Sequence, residues 1–177
     1  MKKKSFLSIL LVSLFLLSCS EDIVNNKISD EGFNIYLLKD TTITTNQIMS
    51  VNLDDLTIAD QPILSYKDIV YYNWSNHSFE IKLSKANEIK SFCSNHISVR
   101  GIPFVVTVDR ERIYLGSFWA SYSSLAPVFP HLEATYLQNE TPTVLTIEKS
   151  WDNNEQDVRE DQRIYNSLKK YGLLIFN

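Results

Sequence analysis

GIPFVVTVDRERIYLGSFW, residues 101–119, is the stretch on which the fold turns. Residues 104–108, Phe-Val-Val-Thr-Val, are β-branched and apolar almost without a break. Neither face of such a strand suits water, so it reads as central to a sheet. Residues 109–112, Asp-Arg-Glu-Arg, form a polar turn, and residues 113–118 return as the partner strand. Gly101-Ile102-Pro103 breaks the chain in front of this hairpin.

Working toward the N-terminus, Ser84 is placed to cap a helix over residues 85–94. Ala86, Ile89, Phe92 and Cys93 recur there at helical spacing. Before it, Phe79, Ile81 and Leu83 alternate as a strand, and residues 73–76 form a turn after the aromatic run 67–72. Residues 33–38 read as a first strand. The Thr-, Asn- and Asp-rich segment 39–60 reads as turns with a short helix near 53–56. Toward the C-terminus, Pro127, Pro130 and Pro142 mark a loop with edge pieces, and residues 144–148 read as a strand. Asn153 or Asn154 is expected to cap a helix over 155–170 with Val158, Ile164, Leu168 and Tyr171 as its apolar stripe. Gly172 sits where a C-cap glycine belongs, and 173–176 is a last short strand. The expected fold is α+β, a mostly antiparallel sheet with two helices packed on one face.

Three segments carry a resemblance. "PILSYKDI", "HSFEIKLSKANEIKSF" and "GIPFVVTVDRERIYLGSFWASYSS", with "DVREDQRIYNSLKKYG" at 157–172, resemble a group of uncharacterised Bacteroidetes-type lipoproteins. Residues 62–122 also resemble, more distantly, the first periplasmic domain of the SecD secretion protein. That resemblance implies a SecD periplasmic-domain-like fold and a tendency to bind polypeptide. It carries no catalytic motif.

The N-terminus gives an address. Lys2, Lys3 and Lys4 precede an apolar run over 6–17, too short to span a bilayer comfortably. This is the pattern of a signal peptide. Leu16-Leu17-Ser18-Cys19 resembles the bacterial lipobox, which implies that Cys19 is acylated and becomes the mature N-terminus. Residues 1–18 are then the leader, 19–31 a tether and 32–177 a single domain. The expected location is the outer membrane, held by lipid. Ser20-Glu21-Asp22 resembles the acidic tag of surface-displayed lipoproteins, and an ordinary solvated tether also explains it.

The whole chain has a net charge of −4, and losing three leader lysines makes the rest more acidic. That balance argues against nucleic acid as a partner. With Cys19 lipidated, Cys93 has no disulfide partner and reads as a small buried hydrophobe. Cys93-Ser-Asn-His96 is half of a zinc spacing without its other half, so no metal and no cofactor is expected. Asp157, Arg159, Asp161 and Arg163 alternate in sign. They read as a solvated helix start, or as a charge pinned at a sheet edge. Ser121, Ser123 and Ser124 lack the glycine-flanked turn of a nucleophile elbow.

The aromatics remain. Tyr114 and Phe118 read as core. Trp74, in a polar turn, and Trp119 and Tyr122, at a strand end beside Ser123 and Ser124, form the candidate ligand surface. Trp119 and Tyr122 are expected to be partly open to solvent. The expected function is non-enzymatic binding of a protein or other envelope component. The alternatives are a glycan-binding surface lipoprotein and a hydrolase.

Overall fold

The structure, a computed structural model, describes residues 31–151 and 156–176. The hairpin is present as β5 (Ile102–Val108) and β6 (Glu111–Trp119). Its turn is only Asp109 and Arg110, at φ +48° and +73°. Two positive φ values in a two-residue loop match the right-handed twist of the strands they join. All seven residues of β5 are buried. One face of β5 carries Phe104 and Val106 into the main core, and the other carries Val105 into a smaller cluster with Leu38, Ile48, Leu56 and Leu115. Gly116 faces Phe104 across the pair. A Cβ there would lie 2.2 Å from the Phe104 ring, so only glycine fits.

β1 (Phe33–Leu37) pairs antiparallel with β5 on the side away from β6, and Phe33 lies opposite Val108. The chain joins the domain beside the hairpin turn. The Gly32 N–H donates to Asp109 Oδ1 at 2.6 Å, and the Asp109 N–H donates to the Gly32 carbonyl at 3.1 Å. β2 (Leu64–Ser65) extends this sheet beyond β1, and β7 (His131–Glu133) joins β6 in parallel, giving the order β2-β1-β5-β6-β7.

A second sheet replaces the single one expected. β3 (Ile69–Asn73) and β4 (Ser78–Ile81) form its centre, β8 (Val144–Thr146) pairs with β4, and β9 (Leu174–Ile175) runs parallel to β3. The α+β class stands, with two mixed, mostly antiparallel sheets. α1 (Leu83–His96) buries Ala86, Ile89 and Cys93, and α3 (Gln162–Lys170) buries Ile164 and Leu168, in one core that both sheets share. The sheets meet where His131 and Glu148 exchange backbone hydrogen bonds of 3.0 and 2.8 Å.

Several helix boundaries differ from expectation. α1 starts earlier because β4 runs directly into it. Its N-cap is Lys82, which uses no side chain, so Ser84 lies inside the helix. The C-terminal helix starts later. Asp157 caps a single 3-10 turn over Val158–Glu160, and Asp161 caps α3. Asn153 and Asn154, expected as caps, fall outside the described residues. Gly172 is the expected helix stop, with φ +68° and the Leu173 N–H reaching back to the Leu168 carbonyl at 2.9 Å. Within the proline-marked loop lies an unexpected helix, α2 (Ala134–Asn139). The Glu133 carboxylate caps it by accepting the N–H groups of Thr135 and Tyr136.

Candidate functional site

The far end of β6, away from the Asp109–Arg110 turn, opens into a cleft. Three tethers shape it. The Ser117 N–H donates to the Pro130 carbonyl at 3.0 Å, which returns the loop to the sheet. The His131–Glu148 exchange brings in residues 147–151, and the Trp151 N–H donates to the Pro127 carbonyl at 3.1 Å. Inside the loop, Ser123 Oγ donates to the Val99 carbonyl at 2.7 Å and accepts the Leu125 N–H at 3.1 Å. The resulting cavity holds about 390 Å³, lined by Trp119, Ser121, Ser123, Leu125, Pro127, His131, Glu133, Lys149 and Trp151. A neighbouring cavity of about 340 Å³ lies between Tyr114, Phe129 and Val158, and Lys149 is a wall of both.

Two apolar side chains of the lining are open to solvent, Trp151 at 72% and Leu125 at 43%, and Tyr122 on the same loop is exposed as well. Trp119 corrects an expectation, because it is 5% exposed rather than partly open. Its ring lies on Gly101, where a Cβ would sit 2.6 Å from the indole. Gly101 has φ +71°, so both the conformation and the close approach require glycine. Trp119 therefore packs as core and offers the cleft its remaining surface.

The ionisable groups of the cleft divide sharply. Burial alone would raise the Glu133 carboxyl. Hydrogen bonds from Tyr136, Thr135 and Ser121 outweigh it and hold the group below the usual carboxylate range. Glu133 is thus a charged helix cap and unsuited to donating a proton. Burial lowers the His131 pKa, opposed by Glu148, the Phe129 carbonyl and Glu133. Ser121 Oγ bonds to Thr135 Oγ1 at 3.1 Å. Among the described residues neither Ser121 nor Ser123 is hydrogen-bonded to a histidine. Lys149, half-buried, makes no ion pair or hydrogen bond among the described residues.

A second cluster lies beside the neighbouring cavity. His77, Asp157 and Glu160 place one ligand atom each within 4.8 Å of one another, a geometry that could hold a metal ion. His77 is buried at φ +54°, and its Nδ1 lies 3.1 Å from Tyr72 Oη. Burial first, and the Arg159 charge second, push its pKa down to about 4, so the imidazole is neutral at pH 7. Arg159, however, already pairs its positive charge with the Asp157 carboxylate. Its Nε and Nη2 donate to Asp157 Oδ1 and Oδ2 at 2.9 and 2.6 Å, and Nη1 reaches the Ile147 carbonyl at 2.6 Å. The guanidinium holds the Asp157 carboxyl below its usual range. Both carboxylate oxygens are spent and a positive charge is present, so the cluster does not suit a divalent ion.

The Asp157–Arg163 charges are therefore split between the two readings, one pair pinned and one solvated. Each Asp caps a turn and grips the Arg two residues on. The Asp157–Arg159 pair is pinned at the end of β8. Asp161–Arg163 repeats it in solvent, where Arg163 also meets Glu111. Cys93 is buried, with its thiol pushed up to about 12 by desolvation first and Glu133 second. His96 stacks on Phe92 at 4.7 Å, so Cys93-x-x-His96 is a core thiol beside a helix-end ring.

Of the residues expected to bind, Trp119, Tyr122, Ser123 and Ser124 belong to one loop system, and Trp119 and Ser123 line its cleft. Trp74 lies elsewhere, half-buried against Tyr165, His77 and Tyr72 with ring centroids 5.2, 5.5 and 6.1 Å away. Lys149 and Trp151 were not expected in the site. The one signal for them is a tryptophan in the polar run Glu148-Lys149-Ser150-Trp151-Asp152. Cys19 and the acidic tag fall outside the described residues. Compared with known proteins, the chain matches no family model, no curated protein and no solved structure.

Proposed function

We propose that this chain is a lipid-anchored protein of the outer membrane that binds an envelope component without transforming it, and that the cleft at the end of β6 is where it binds. The observation that carries this reading is the 390 Å³ cavity with an exposed apolar rim. Its volume falls in the range of about 300–1,000 Å³ typical of ligand sites. Exposed Trp, Tyr and Leu around a depression are the composition of a recognition surface. The polar groups support binding over catalysis. Glu133 is committed to a helix cap, and the serine hydroxyls are committed to Val99 and Thr135. Among the described residues the cleft serines thus have no histidine bonded to them as a base for the hydrolase alternative. The anchor rests on Leu16-Leu17-Ser18-Cys19. The lipoprotein and SecD resemblances agree with an envelope binding role.

Two experiments test the reading. Mass spectrometry of the mature N-terminus is expected to find acylated Cys19, and an unmodified Ser20 or a retained Met1 refutes the anchor. A photoreactive phenylalanine analogue at Leu125 is expected to crosslink an envelope component in living cells. The same analogue at exposed Asn166, on α3, is not. Equal yields at the two positions, or none at either, refute the cleft.

A further inference from the structure

Among the described residues the half-buried cations are, with one exception, answered. Lys85 meets Asp68 and Glu88, Lys90 donates to the Asn139 carbonyl, Arg112 donates to the Leu53 carbonyl, and Arg159 grips Asp157. The exception is Lys149, which no carboxylate or carbonyl among the described residues meets. It stands between two cavities, and two residues on is the most exposed large hydrophobic side chain described, Trp151. An ammonium on a cavity wall that no described residue engages favours an incoming anion. A flat exposed indole favours a ligand with an apolar ring face. Ser121 and Ser123 line the same cavity, with their hydroxyls already bonded to Thr135 and Val99.

We infer that the cleft binds an acidic saccharide, with its carboxylate on Lys149 and a sugar ring laid on Trp151. The chemistry required is a carboxylate attached to a pyranose ring, as in uronic or sialic acids. Glu133 sets a limit on charge. It lines the same cavity as a low-pKa carboxylate, so the ligand's anionic group must lie at the Lys149 end, toward the second cavity. The neighbouring acid there, Asp157, is neutralised by Arg159. The inference rests on the cleft being the binding site and adds the class of its occupant.

The test is a titration of the full chain in detergent micelles, read by tryptophan fluorescence. The probes are tetragalacturonate against its methyl ester, 3′-sialyllactose against lactose, and poly-L-glutamate. The expected result is saturable binding of at least one acidic sugar, with its neutral counterpart at least tenfold weaker. Lys149→Met and Trp151→Ala should each weaken binding at least tenfold with an unchanged melting temperature, and Lys149→Arg should retain it within about threefold. Four results overturn the inference: no binding of either acidic sugar, equal binding of the neutral forms, full binding by Lys149→Met, or poly-L-glutamate binding more tightly than the sugars. If the sugars fail while crosslinking at Leu125 persists, the occupant is wrong and the cleft stands. If both fail, the binding reading falls with it.

Discussion

Two places on this molecule gather ionisable side chains close to bulky aromatics, and they are finished in opposite ways. Around His77 the buried and half-buried groups have answers, and among the described residues only the exposed Glu160 has none. Asp157 is gripped by Arg159, Arg159 by Asp157 and the Ile147 carbonyl, and His77 by Tyr72. Trp74 packs edge-on against the imidazole, and Tyr165 packs on Trp74. Around Lys149 no described residue meets the cation, the indole of Trp151 is exposed, and two cavities remain. The first cluster has the denser collection of metal-ligating groups, and the second has the unsatisfied one. Density of functional groups measures how much structure was built there. An unanswered charge beside open space marks where something is still to be bound.

Substitutions can break this contrast, and the largest effect is expected at the floor of the open site. Trp119→Ala removes a buried ring packed on Gly101 and should cost about 3–5 kcal/mol of stability in urea unfolding. A loss of under about 1 kcal/mol would return Trp119 to the ligand surface. Next is Arg159→Met, which leaves Asp157 and the Ile147 carbonyl without their donor. It should cost about 2–3 kcal/mol, as expected for one member of a largely buried pair. The same variant frees Asp157 Oδ2 beside His77 and Glu160, while Oδ1 keeps only the backbone N–H of residue 159. Zinc ions should therefore raise the melting temperature of Arg159→Met and leave that of the parent unchanged. Zinc stabilising the parent equally would show that the guanidinium does not fill the site.

The closed cluster should also carry a pH signature. The folded pKa of His77, about 4, lies below the ordinary histidine value of about 6.5, so the unfolded chain takes up the proton first. The stabilisation is fully present above pH 6.5 and is lost as pH falls toward 4. We expect a loss of about 2 kcal/mol across that window by urea unfolding. His77→Asn should flatten the slope, and a residual slope of the same sign is expected from His131, whose pKa is also lowered. A slope identical in the variant would remove His77 as its source. The smallest effect belongs to the open site. Lys149→Met and Trp151→Ala should each change stability by no more than about 0.5 kcal/mol, since among the described residues neither side chain makes a hydrogen bond, ion pair or ring contact.

The sequence was legible wherever the information is local. The apolar run at 104–108 needs no partner to be recognised as a central strand, and Gly172 announces the end of α3 through its φ alone. Two sheets were read as one because β8 and β9 find their places through long-range pairing with β4 and β3. α2 was missed because six residues give too little periodicity to detect, and its cap is a glutamate at a strand end. The candidate cleft was half visible. Trp119 and Ser123 are local to the hairpin, whereas Lys149 and Trp151 arrive through the His131–Glu148 bridge, which nothing near them in the chain foretells. Trp119 also shows why residue type alone misleads. Its burial depends on a glycine eighteen positions earlier.

The clamp between Gly32 and Asp109 has a consequence for how the molecule stands. It fixes the point where the leading segment meets the domain at the turn end of the hairpin, while the cleft lies at the other end of β6. Nine strand residues at about 3.3 Å each separate those ends by about 30 Å. For a protein anchored through Cys19, the thirteen residues from Cys19 to Glu31 reach at most about 45 Å. The domain would then be moored by its heel, with slack enough to swing its mouth toward the bilayer or away from it.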